Sequence, residues 1–344
     1  MALDVKDLQT LFNITAKATP STSYEFKGEK FSYDTLNETL RKELRELAGT
    51  YSLFRKNKNI IFELIEQAID DVLPKKVMEQ YSQFAEVKTF NQGDRPIFFQ
   101  KITAASKKRA KQFITKVGLA GIYEVFKLDG RSYEVQTNAY GGAAQIGFEE
   151  YMDGRVDMSD VYDVILEGLD EVVYTEIAKA LKGMADSLTT VSPANRVASS
   201  SFVEADMDRL LAISDSYGTK STIYCTFEFA ATMVPSTGWV SEEMRNQKWN
   251  NGYLGNYKGH NVVVLAQSYT DTTNTTKVID PSYCYILPNG GDKPVKIALE
   301  GQTIVRDIDN ADMSKEVQVY KKMGVGAVFT PNMCVYVNTS LKIK

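Results

Sequence analysis

The apolar positions between residues 158 and 188 recur at three- and four-residue spacing. They fall at Val161, Tyr162, Ile165, Leu166, Leu169, Val172, Val173, Ile177, Leu181, Met184 and Leu188, the stripe of one helical face. No proline interrupts the run, and Gly168 and Gly183 are tolerable breaks. Asp163, Glu167, Asp170 and Glu171 occupy its first half, and Lys179 and Lys182 its second. That order complements the helix dipole. A helix of about 30 residues would be ~45 Å long. The flanking sequence is strand-like, so the helix reads as a spine, and a spine suggests a plate-like subunit rather than a compact enzyme.

Shorter patterns flank it. Residues 1–33 are polar and weakly patterned, with Pro20 and a Ser/Thr cluster at 19–23, and read as an extended arm. Leu36, Leu40, Leu44 and Leu47 predict a helix over 35–48. Thr35 and Glu38 have capping-box spacing, and Gly49 suits the stop. Ile60, Ile61, Leu64, Ile65, Ile69 and Val72 predict a second helix over 57–72, ended or kinked by Pro74. Lys75 to Phe84 can resume it, with the proline in its first turn. The charge run at 41–46 reads as a solvated helix face.

From Phe90 to Met152 the pattern changes to short alternating runs. Residues 122–128 and 132–140 flank Asp129-Gly130, a two-residue hairpin pattern. Residues 86–152 are therefore one excursion of strands with a basic tip. Beyond the spine, 202–214 predicts a short helix. Residues 221–234 begin as a strand and turn helical near Phe227, and 262–265 is a buried strand. The runs YCYIL, VKIAL and TIVRDI read as separate short strands, divided by 288–291 and by Glu300-Gly301. EVQVYKK, VGAVF and MCVYV close the chain as strands. There is no internal repeat.

Composition narrows the function. The 344 residues leave room for about two domains. The chain is 43% hydrophobic and 24% charged, with a net charge of −4. A dedicated nucleic-acid binder would be strongly basic. Cys225, Cys284 and Cys334 lie far apart in apolar, strand-like runs; buried thiols and a reducing compartment are the expectation. The opening MALDVKDLQTLF lacks the order of a signal peptide, and no apolar run approaches the ~20 residues that cross a bilayer. With 16 Phe and 19 Tyr against 2 Trp, aromatic packing surface is plentiful.

Catalytic chemistry has few candidates. His260 is the single histidine, and its position at the entry to a buried strand favours a structural role over a general base. One histidine and dispersed cysteines supply no His/Cys metal site. Neither a nucleophile elbow nor a phosphate-binding loop occurs, and the glycine-rich pieces 141–147 and 324–328 lack the dinucleotide fingerprint. Glu149-Glu150 and Glu242-Glu243 are non-specific carboxylate pairs. Asp307, Asp309, Asn310 and Asp312 lack the rest of a calcium loop and read as a solvated turn. No catalytic, cofactor-binding or metal residue is assigned. Lys101, Lys107, Lys108, Arg109, Lys111 and Lys116 form a basic stretch with no acid among them. It can be a solvated loop, a contact for an acidic neighbouring subunit, or a nucleic-acid contact; the neighbouring subunit comes first.

An arm, a long excursion, a spine helix, an α/β region and a returning strand follow one another in this order. The order resembles that of tailed-bacteriophage major capsid proteins, the HK-ninety-seven-like fold shared with encapsulins and the herpesvirus shell floor. Residues 254–264, LGNYKGHNVVV, are similar to that family's glycine-bracketed turn into a central strand of the axial (A) domain. Residues 316–331, EVQVYKKMGVGAVFTP, are similar to its long peripheral (P) domain strand, and MCVYVN to its terminal strand. The resemblance implies an α+β fold with an N-terminal arm and helices (1–85), an extended hairpin or E-loop (86–152), a spine-helix P domain (153–205 and 305–335) and an A domain (206–304 and 336–344). It implies a structural, non-enzymatic subunit that assembles as hexamers and pentamers into an icosahedral head around double-stranded DNA. Its partners would be itself, possible scaffolding, portal and decoration proteins, and DNA through weak contact, with no membrane. The expected location is the virion capsid, assembled in the host cytoplasm, with no cofactor. Relatives that carry a cleaved scaffolding segment set a further expectation: any such segment here is a separate protein, is absent, or lies within 35–84. Relatives that crosslink use a lysine on the excursion and a distant asparagine, but no pair can be assigned here. An encapsulin-like compartment shell and an enzyme of unknown reaction are the alternatives; a mostly-β tail-tube protein would not carry the spine.

Overall fold

The computed structural model describes residues 5–15, 23–48, 50–100, 131–146, 158–216, 220–234, 241–289, 292–309 and 315–341. Helices α1 (Val5–Thr15), α2 (Tyr33–Ala48) and α3 (Tyr51–Tyr81) form an N-terminal layer. Part of the expected extended arm is therefore ordered structure. Leu8 and Leu11, three residues apart, give α1 an apolar edge that is fully buried. A small hairpin, β1 (Tyr24–Phe26) and β2 (Glu29–Phe31), follows it. The cap of α2 is also shifted from the expected Thr35/Glu38 pair. The Ser32 amide donates to Thr35 Oγ1 at 2.9 Å and the Thr35 amide to Ser32 Oγ at 3.4 Å, a reciprocal box one turn earlier.

Helix α3 continues through Pro74. The proline removes one hydrogen bond to the preceding turn, a cost of about 3 kcal/mol. Val72, Leu73 and Val77, buried on either side, offset it, since burial of such side chains contributes about 1.5–3 kcal/mol each. Tertiary packing overrides the local break.

Two sheets share the rest. The first has strand order β3 (Ala85–Phe90), β12 (Val295–Asp309), β13 (Lys315–Ala327), β6 (Asn138–Ile146). The second has six strands: β7 (Arg196–Ser199), β14 (Cys334–Asn338), β11 (Tyr283–Pro288), β8 (Ser221–Thr226), β10 (His260–Leu265) and β9 (Asn256–Tyr257). The expected short strands VKIAL and TIVRDI are thus one strand, β12, with a register shift between Glu300 and Ile304 where Gly301 takes φ +69°. EVQVYKK and VGAVF are likewise one strand, β13. Its Gly324 is required by close approach: a Cβ there would overlap the Gln136 carbonyl.

The spine, α4 (Met158–Val191), is the expected helix extended by three residues. Ile165, Leu166, Leu169, Val173, Ile177, Leu181, Met184, Ala185 and Leu188 are buried on it. They share one core with Val317, Val319 and Met323 of β13 and with Tyr283, Tyr285, Val335 and Val337 of the second sheet. The opposite face of that sheet makes a second core with helices α5 (Glu204–Asp215) and α6 (Phe227–Thr232). The alternation is visible along β11: Tyr283, Tyr285 and Leu287 face the spine, while Cys284 and Ile286 face α5. Burial on both faces explains why YCYIL is continuously apolar.

The excursion is described at its stem. Residues 85–90 and 138–146 are strands of the first sheet, and β4 (Ile97–Gln100) pairs antiparallel with β5 (Arg131–Glu134). The Asp129-Gly130 turn, the 122–128 strand and the basic stretch 101–116 lie outside the described residues.

The spine's packing gives a direct test. Leu169→Asp would place an unpaired carboxylate in the core at a cost of several kcal/mol, against a typical total of about 5–15 kcal/mol. Leu169→Asp is expected to yield no soluble subunit, whereas Glu167→Lys, at an exposed position of the helix, folds normally. Expression and thermal melting of the two variants separate them; a Leu169→Asp protein that melts with the wild type refutes the buried-spine architecture.

Candidate assembly surfaces and the stem of the excursion

The residues considered for chemistry are placed in structural roles. His260 is buried between β8 and α5. Its Nδ1 lies 3.2 Å from Ser221 Oγ and 3.1 Å from the Ser221 carbonyl, and its Nε2 lies 3.3 Å from Asp215 Oδ2. Ser221 Oγ also donates to Asp215 Oδ1 at 3.3 Å. This closed Asp-His-Ser ring leaves no free face on a hydroxyl that is itself buried, so it clamps β10 and β8 to α5. The three cysteines are buried thiols on one face of the second sheet, with Cys225 directly opposite Cys284. Burial, with the Cys225 thiol alongside, pushes Cys284 up; burial pushes Cys334 up to about 12. Such thiols are poor nucleophiles. Among the described residues no three His, Cys, Asp or Glu side chains gather into a metal-binding group. Glu242 and Glu243 lie in the first turn of a solvent-exposed helix, α7 (Glu242–Asn251). Glu149-Glu150 and the side chains of Asp307, Asp309, Asn310 and Asp312 fall outside the described residues.

Sequence reasoning missed a network of buried ion pairs that fixes the stem. At the register shift of β12, the strand amides of Thr303 and Val305 are taken by carboxylates from α3. Val305 donates to Glu66 at 2.6 Å and Thr303 to Asp70 at 3.0 Å. Glu66 and Asp70 are four residues apart, hence on one helical face. Lys321 of β13, also buried, donates to Asp70 at 2.6 Å and to the Gly301 carbonyl at 2.7 Å. A second buried lysine, Lys296, is held between Glu86 at 2.6 Å and Asp292. The available sequence pattern was a lysine inside each of two apolar strand runs.

Glu300 joins both legs of the excursion to the sheet. It accepts from the Gly93 amide at 3.1 Å, before β4, and from the Thr137 hydroxyl, after β5, with Lys322 at 3.5 Å. Phe98 is fully buried at this stem against Val135, Ala298 and Phe90. Its neighbour Phe99 points the other way and is 69% exposed, as strand alternation requires. Ile304 and Ile308 of the long β12–β13 ribbon, Val164 of the spine and Trp249 of α7 are among the other large apolar side chains left exposed.

This architecture, a spine helix under two sheets with a clamped two-stranded projection, is the tailed-phage major capsid fold. Residues 7–336 match the protein family described as "SPbeta prophage-derived putative capsid protein YonB", and the chain belongs to that family. It is a structural capsid protein. No curated protein matches the chain. Among solved structures, a phage-related protein from Bordetella bronchiseptica RB50 is 12% identical, covers 82% of this chain and 98% of its own, and has a TM-score of 0.50. The capsid of cyanophage P-SCSP1u is 9% identical over 75% of this chain and 86% of its own, with TM-score 0.49. The acid-stable capsid of Helicobacter pylori bacteriophage KHP30 is 13% identical over 75% and 91%, with TM-score 0.47.

Two measurements test the network. Lys296→Met leaves Asp292 buried without its cation, and a loss of about 3–5 kcal/mol in denaturant unfolding is expected; an unchanged midpoint refutes the role given to the pair. The second concerns pH. Hydrogen bonds from Thr137 and Gly93 hold Glu300 below the usual carboxylate range. At Glu86 and Asp280, burial acts upward, but ion pairs with Lys296 and Lys88, and with Lys182, outweigh it and the net shift is downward. Their folded values lie below their unfolded ones. Their stabilisation is therefore present above the ordinary carboxylate pKa of ~4 and is lost as pH falls through the folded values. The melting temperature is expected to hold from pH 7 to 5 and to fall below pH 4, with Glu300→Gln flattening part of that fall.

Proposed function

We propose that the protein assembles as hexamers and pentamers into the icosahedral head that encloses phage double-stranded DNA. The observation that carries this reading is the excursion stem. Its two strands leave the first sheet through the Glu300 clamp and present Phe99 to solvent. A two-stranded ribbon is marginal in water by itself, and no described residue of the subunit covers Phe99, so this reading takes the covering surface from outside the subunit. In a tiled shell that surface is a neighbouring copy, related by a heterologous contact.

The domain division that goes with this reading follows the sheets. The N-terminal arm and helices are 1–85 and the E-loop 86–152. The spine and the four-stranded sheet form the P domain, and the six-stranded sheet with α5 to α7 the A domain. Strand 295–309, divided on sequence between the A domain (to 304) and the P domain (from 305), belongs wholly to the P domain in this reading, since it pairs with β3 and β13; 196–199 belongs with the A domain, since it pairs with β14. The mildly acidic charge of −4 suits a wall that DNA slides past. Scaffolding, portal and decoration proteins complete the set of partners, and the shell forms in the host cytoplasm.

Light scattering and negative-stain imaging of the purified protein, with and without co-expressed phage proteins, are expected to show capsomers or closed shells. A strictly monomeric protein at high concentration refutes the proposal, and shells filled with an enzyme rather than DNA assign it to the encapsulin-like class. Amide exchange at 97–100 and 131–134 is expected to slow at least tenfold on assembly; equal protection in subunit and shell removes the excursion from the interface.

A further inference from the structure

We propose that Cys225 and Cys284 are a modification site, where oxidation forms a disulfide that staples the two central strands of the six-stranded sheet. The inference concerns the subunit itself and goes beyond the shell-forming reading. Strands β11 and β8 lie side by side in the middle of that sheet, and Cys284 stands directly opposite Cys225. Pairs in an antiparallel ladder alternate between hydrogen-bonded and non-hydrogen-bonded. The Asn289 amide donates to the Lys220 carbonyl at 2.9 Å, one pair beyond Pro288 and Ser221. Asn289 and Lys220 are therefore a hydrogen-bonded pair. Counting inward along the register makes Cys284 and Cys225 a non-hydrogen-bonded one. The other edge of β11 agrees with this phase. There the Asn338 amide donates to the Ser282 carbonyl at 2.8 Å, which turns the backbone groups of Cys284 toward Tyr336 of β14 and away from β8.

Non-hydrogen-bonded partners bring their Cα atoms to about 4.5 Å, with the side chains closer than in the other kind of pair. A disulfide spans Cα separations of roughly 4.4–6.8 Å, so the bond can form without re-pairing the strands. Both side chains lie on the same face of the sheet, against α5 and α6, and the two thiols already hydrogen-bond to each other. Cys334 is the built-in contrast. It shares that face, but its direct partner across the ladder is Ile286. It is therefore diagonal to Cys284, at roughly 7–8 Å, too far to bridge without backbone movement. A separation at the short end of the disulfide range stores strain and makes the bond easier to reduce. The thiols are then the resting form in a reducing compartment. The oxidant is a peroxide. One sulfur attacks it, the O–O bond breaks, and a sulfenic acid and water result. The second thiol displaces the sulfenic oxygen as another water while the S–S bond forms. The pair gives up two electrons and two protons, and hydrogen peroxide is reduced to two waters. Burial slows the first attack and leaves the end point unchanged. Helices α6 and α7 and strands β9 and β10 all lie between the two cysteines along the chain. The bond closes that whole segment into a covalent loop and restricts the unfolded chain. Under the shell-forming reading, the sheet folds in the cytoplasm with free thiols and is stapled after the shell is released.

The test treats the folded, full-length subunit with dilute hydrogen peroxide and then counts free thiols by alkylation in denaturant. The three alkylated cysteines of the untreated chain are expected to fall to one. Peptide mapping without reductant is expected to join the peptide of Cys225 to that of Cys284 and to find Cys334 alkylated. The linked subunit is expected to melt several degrees above the reduced one. Cys334→Ala is expected to keep the linkage, and Cys225→Ala to lose it without a new bridge. Three free thiols in the folded subunit, under peroxide that links the chain in denaturant, overturn the proposal. A bridge that includes Cys334 overturns it as well, and a Cys225–Cys284 bridge that leaves the melting temperature unchanged overturns the staple. The readout is taken on the free subunit, so a failure to form shells bears on the capsid reading and not on this bond.

Discussion

Burial of the spine helix's apolar face is the interaction on which the rest of the subunit depends. Nine side chains from Ile165 to Leu188 are sequestered along it, and each of the eight larger than alanine contributes roughly 1.5–3 kcal/mol of transfer free energy. The same face serves two sheets that share no strand. Val317, Val319 and Met323 of one sheet and Tyr283, Tyr285, Val335 and Val337 of the other meet on it. Remove it and the inner faces of both sheets are wet at once. The outer side of the helix is left to charge: Lys182 pairs with the largely buried Asp280 at 2.9 Å, and Lys179 with Glu176 at 2.8 Å, the latter a surface pair that adds little stability.

The ionic network has a different task. Buried pairs such as Lys296 with Asp292 and Lys321 with Asp70 do not outperform apolar packing as sources of stability, but they are costly to break and demanding in geometry. Here they sit where the sheet departs from regularity. The register shift in β12 frees backbone amides, and Glu66 and Asp70 of α3 take them. A helix carboxylate thus substitutes for a missing strand, which satisfies buried donors that would otherwise be orphaned. Glu300 then gathers the two legs of the excursion onto the same strand. Helix layer, sheet and projection are locked into one geometry by a few oxygens.

What the subunit leaves uncovered follows one logic. The excursion stem shows Phe99 outward and α7 buries nothing. Both elements are fixed at their base, by the Phe98 cluster and by the Ser241 and Gly252 caps, and both present aromatic surface. Rigid attachment with an open apolar face is the arrangement that lowers the ordering cost of association, as a shell subunit requires.

The amino-acid sequence by itself determined the elements whose periodicity is long or uninterrupted. The spine, α2, the β8-to-α6 transition at Phe227 and the buried cysteines were all readable, because an apolar stripe or a doubly buried strand leaves a pattern no local feature contradicts. Tertiary structure decided the rest. Pro74 and Gly301 look like breaks in sequence. α3 and β12 nevertheless continue through them, because Val72, Leu73 and Val77 are buried on one and Asp70 and Glu66 bond the other. Lys296 and Lys321 look like surface lysines, and their partners lie 4 to 251 positions away along the chain. A local pattern records which face of an element avoids water. Which distant carboxylate meets a given lysine, and whether packing outweighs a proline, depends on long-range geometry that only the folded chain supplies.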